Sequence, residues 1–124
     1  MRTPDAFRGY WKIESMEMWD LDYIDLVLPG FIEFDDELMG NFQFGTVAGW
    51  LDCRVRQVAD QETLEWSWEG QNDNDPGCGR GLARISGETL LGHIFLHRGD
   101  DSSFVASRRA TRPLRVVRRR RAAP

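Results

Sequence analysis

His93, His97, Cys53 and Cys78 are the side chains with the strongest intrinsic chemistry in this sequence. Four such groups match the number of ligands that a structural zinc takes. Their spacing does not match. There is no C-x-x-C, and no convincing helix surrounds the two histidines. On a strand, His93 and His97 share a face about 13 Å apart. One zinc ion, with bonds of about 2.1 Å, cannot hold both. The pattern therefore predicts no metal, one inward histidine with a partner, and one histidine at a strand end. A cavity-facing His93 working with an Asp is the enzyme reading. Both cysteines read as buried thiols, and Cys53 lies on an apolar strand face. No catalytic residue and no cofactor are assigned.

The acidic residues Asp20, Asp22 and Asp25, then Glu33, Asp35, Asp36 and Glu37, could in principle serve hydrolysis or hold Mg²⁺. On a surface loop they are ordinary solvated carboxylates. Asn72 to Gly77 lacks the register of a calcium loop and the Glu at its twelfth position. Gly77-Cys78-Gly79-Arg80-Gly81 is not G-x-G-x-x-G, and no helix follows it to receive a phosphate. Trp66, Trp68, Phe42, Phe44 and Trp50 either fill a core or, together with His93, line a cavity for a small apolar ligand. Filling is the commoner use of such side chains.

These residues need a frame, and composition bounds it. The 124 residues suit one domain, and fourteen aromatics, five of them Trp, supply its core. No run of 18 apolar residues predicts a membrane span, and Met1 to Trp11 has no signal-peptide core. A cytoplasmic location is the resulting expectation. Charge is divided along the chain. Residues 1–107 carry 20 acidic against 8 basic side chains, while residues 108–124 carry 8 Arg and no acid. The expectation is a folded domain over 1–109 and a basic, disordered tail over 110–124. Such a tail could contact nucleic acid without sequence preference, since it has no aromatic to stack on bases. It could also fold back on the acidic body.

The body reads as short strands. Tyr10 to Asp20 alternates from Trp11 and Ile13, then changes parity at Met16 and Met18, which calls for a bulge near Ser15. Trp19 to Leu28 is a short helix or a loop, ended by Pro29-Gly30. Strands follow at Phe31 to Phe34, and at Gly40 to Ala48 with a break at Gly49. Further strands cover Trp50 to Val58 and Thr63 to Glu69. Gly70 to Gly77 reads as a loop. Gly79 to Ile85 comes next, with Gly79, Gly81 and Ala83 on one face, small enough to admit a Trp ring. Glu88 to His97 and Ser102 to Arg109 complete the set. Turn signals every 8 to 12 residues predict an all-β, antiparallel, up-and-down meander of seven or eight strands closing into a small barrel.

Gly9-Tyr10-Trp11, opening the first strand, resembles the Gly-x-Trp start of lipocalin-type (calycin) barrels. The resemblance implies that Trp11 plugs one barrel end beneath an arginine of the last strand, Arg108 or Arg109. Trp19-Asp20 with Tyr23-Ile24-Asp25, Trp66 to Gly70, and Gly99 to Ser102 resemble a group of small bacterial proteins, which implies no activity. Three functions remain in view. One is a non-catalytic interaction domain whose acidic loops meet a basic protein partner. Another is a carrier or sensor of a small apolar ligand. The third is an enzyme using His93.

Overall fold

A computed structural model describes residues 2–110. The element order is β1 (Gly9–Met16), α1 (Leu21–Ile24), β2 (Phe31–Phe34), β3 (Met39–Phe44), β4 (Val47–Val58), β5 (Gln61–Asn72), β6 (Asp75–Ser86), β7 (Thr89–Leu96) and β8 (Asp101–Arg109). The eight strands form a closed antiparallel barrel in sequence order, and β8 pairs with β1. Closure gives every strand a paired neighbour on both sides. The basic tail expected over 110–124 lies, Ala110 apart, outside the described residues.

Local chemistry explains the turns. Ala59 and Asp60 both take positive φ, the two-residue hairpin geometry that matches strand twist. The register of β1 against β8 shifts between Ile13 and Ser15. That bulge keeps Trp11, Ile13 and Met16 all inward. Met18 does not follow Met16 inside. It lies beyond the strand and is exposed, because its backbone N–H turns to the Ser102 hydroxyl.

Two expected breaks are corrected. Gly49 does not end a strand. It sits within β4 opposite Phe42, where a Cβ would come 2.6 Å from the Trp68 ring. The real turn is Gly45-Thr46, with Gly45 at φ 57°. Gly70 to Gly77 is not an open loop either. β5 and β6 pair through Asn72 and Asp75, so only Asp73-Asn74 turn. Polar and glycine residues hid these strand ends because their partners, rather than their propensities, hold them extended.

The interior is solid. Phe42, Phe44, Trp66 and Trp68 are all 4% exposed or less. Phe42 meets Trp68 edge-on at 5.1 Å, and Phe34 lies 5.7 Å from Trp66. The missing side chains of β6 make room for these rings. A Cβ on Gly81 would come 2.4 Å from the Trp66 indole nitrogen. One void of about 10 Å³ lies between Ile13, Met16, Ile32, Phe42, Phe44 and Phe104. It is apolar and at best the size of one water, so it stays dry.

The two ends close differently. At one end α1 seals the barrel. Asp20 caps it by accepting from the Tyr23 N–H, Ile24 is fully buried, and the Ile24 carbonyl accepts from the Gly45 N–H at 2.9 Å. At the other end Trp11 donates from its indole to the Phe7 carbonyl at 2.9 Å. Arg108, not Arg109, covers Trp11, with its guanidinium carbon 4.3 Å from the ring centre. The same guanidinium donates to the Ala6 and Arg8 carbonyls. Arg109 instead pairs with Glu14 at 3.0 Å.

Candidate functional site

Strand alternation sends every second residue of β4 to β7 outward. Cross-strand pairing then sets those residues in rows. Trp50, Glu69 and Cys78 form one row, which His97 extends through its backbone N–H to the Cys78 carbonyl at 2.8 Å. The next row is Asp52, Ser67, Arg80, Phe95 and Asp101. A third is Arg54, Glu65, Leu82, His93 and Ser103.

Hollows lie between and beside these rows. An open groove of about 550 Å³ is lined by Trp50, Glu69, Pro76, Cys78 and His97, with Gly70 and Gly77 as its floor. A second hollow of about 270 Å³ lies among Asp52, Arg54, Glu65, Arg80 and Phe95. A third, bounded by Glu69, Cys78, Arg80, Phe95 and His97, bridges the two. The result is one trough along β5 and β6 on the outside of the barrel.

Trp50 stands at its mouth and is 70% exposed. Among the described residues it has no aromatic, cationic or hydrogen-bonding partner. Glu69 lies directly across from it on β5, and no ion pair to Glu69 forms among the described residues. A π-face and an uncompensated carboxylate thus stand side by side. Together they can hold an ammonium or guanidinium group.

Most of the other charged groups nearby are already engaged. Arg56 pairs with Glu65 at 3.1 Å. Arg80 lies over the Phe95 ring at 5.5 Å. Two acids of the first half of the chain do local structural work. Asp25 accepts from Lys12 and from the Gly30 N–H, and Asp35 accepts from the Glu37 and Met39 N–H groups.

The aromatic and histidine candidates separate into two sets. Phe42, Phe44, Trp66 and Trp68 lie inside, packed on one another and enclosing no ligand-sized space. Trp50 and His93 lie outside. The outward parity of Trp50 was readable, since it shares a face with Asp52 and Arg54 and alternates with Leu51 and Cys53. For β7 no such signal existed, because both of its faces are apolar.

His93 was expected inward. Instead its Nε2 lies 2.5 Å from the Asp101 carboxylate, and its ring lies 4.7 Å from that of Phe95. The enzyme reading needed a His93–carboxylate pair inside a cleft. The pair exists, but on the convex outer face, with the Asp101 side chain 54% exposed.

The expectation of two buried thiols holds for one. Cys53 is buried, and burial, followed by the nearby charges of Asp52 and Asp35, pushes its thiol up to about 12. Cys78 is exposed on the trough. Among the described residues, no three His, Cys, Asp or Glu side chains are placed to share a metal ion. No described helix is long and apolar enough to cross a membrane. The chain matches no family model, no curated protein and no solved structure.

Proposed function

We propose that this barrel is a non-catalytic interaction domain that takes a basic polypeptide segment into its outer trough. The observation that carries the reading is Trp50, a large aromatic held fully outward on a rigid strand beside the carboxylate of Glu69. Tryptophan is among the residues that most often anchor an interface. The charge of the body supports a basic partner, with 20 acidic against 8 basic residues over 1–107. A small apolar ligand in the barrel is not favoured, since the interior void is only about 10 Å³.

Calorimetric titration with a synthetic peptide carrying several arginines tests this. The expected result is binding that weakens with added salt. Trp50→Ala and Glu69→Gln should each weaken it about tenfold, a cost of about 1.4 kcal/mol. Equal binding by the Trp50→Ala chain would reject the trough as the site.

A further inference from the structure

We infer that the Trp50–Glu69 groove also receives this chain's own C-terminal arginines, centred on Arg118 to Arg121. The inference rests on the basic-segment reading above and names one such segment. Residues 111–124 contain six Arg and no acid, so they carry the chemistry that the groove fits.

Reach is the decisive quantity. The chain leaves β8 after Arg109, at the barrel end opposite α1, where Arg109 pairs with Tyr10. Trp50 lies on β4, four strand positions round the barrel from β8 in either direction. Four spacings of about 4.8 Å make about 19 Å around the surface. Cross-strand register sets Arg109, Tyr10, Glu33, Asn41 and Trp50 in one row, so no rise along the strands is added. The path over the surface is therefore about 19 Å. Arg118 to Arg121 follow Ala110 by 8 to 11 residues, an extended reach of about 27–37 Å. The four consecutive arginines thus reach the groove with slack to spare. Arg112, two residues beyond Ala110, falls short of it.

A tether of this length holds its end near the groove at about millimolar effective concentration. The tail would then compete with any external basic segment, and more weakly as salt rises.

The test compares the full-length chain with a full-length variant carrying Arg118→Gln, Arg119→Gln, Arg120→Gln and Arg121→Gln. The probe is a synthetic peptide with the sequence of residues 112–121. If the tail occupies the groove, the variant binds the probe about tenfold more tightly at low salt, and the gap closes at high salt. The gap must not depend on protein concentration. In the variant, acrylamide should also quench the exposed Trp50 more strongly. Equal affinity in the two chains, with Trp50→Ala still abolishing binding, would overturn tail docking and leave the interaction reading standing. Absence of binding by both chains would overturn both. A gap that grows with protein concentration would overturn docking within one chain.

Discussion

The inner and outer faces of β4 to β6 are built by the same strands and behave as opposites. Inside, Trp66 and Trp68 are packed against glycines of β6 and phenylalanines of β2 and β3, and no space is left. Outside, Trp50 stands on the same sheet with no partner among the described residues. The inner tryptophans are held by burial. The outer one is held only by the strand beneath it. A residue type that stabilises on one face is free to act on the other.

The largest expected effect separates these two roles. Trp68→Ala should cost about 3–5 kcal/mol in urea unfolding, because a large buried ring leaves a cavity and an orphaned Phe95 carbonyl that had accepted its indole N–H at 3.1 Å. Trp50→Ala should move stability by less than about 0.5 kcal/mol. Comparable losses in the two variants would mean that Trp50 is part of the core after all.

The two thiols repeat the comparison on a smaller scale. A thiol reagent at pH 8 should label Cys78 at once and Cys53 only on unfolding. The folded Cys53 keeps its proton until about pH 12, against an ordinary value of 9.0. Above pH 9 the unfolded chain releases a proton that the folded chain retains, so this thiol lowers stability as pH rises from 9 to 12. Cys53→Ala should flatten that alkaline slope in the urea midpoint. An unchanged slope would show that Cys53 is not shielded from solvent.

The smallest effect is at the seam between β1 and β8. Glu14 accepts from the Ser107 hydroxyl and faces Arg109 and Lys12, which together hold its carboxyl below the ordinary 4.5. Its contribution is complete above the ordinary carboxylate range and is lost as pH falls through the depressed value. Glu14→Gln should reduce stability slightly at neutral pH and leave acid stability almost unchanged. A variant that loses equally at pH 3 and pH 7 would assign the effect to packing rather than charge.

Much of the frame was legible along the chain. Alternation in Thr63 to Glu69 placed Trp66 and Trp68 on one side, and the glycines of β6 announced the rings that would lie over them. Parity in Trp50 to Val58 put Trp50 with the charged face, although its aromatic character had suggested a place among the core rings. His93 was not legible. β7 has apolar residues on both faces, so only pairing with Ser103 and contact with Asp101 decide that it points outward. Gly49 and the Gly70 to Gly77 stretch misled for a related reason. Glycine and asparagine are weak strand formers alone, yet a neighbouring strand can hold them extended.

The sequence by itself determined an antiparallel barrel, because a period of two and regularly spaced turns have few other solutions. It also determined the charge division and the residue types available to a site. Only the tertiary structure decided that the interior is full, since packing depends on how rings from β2 to β6 interdigitate. Only the tertiary structure set Glu69 beside Trp50, because cross-strand register joins residues that are nineteen positions apart in the chain.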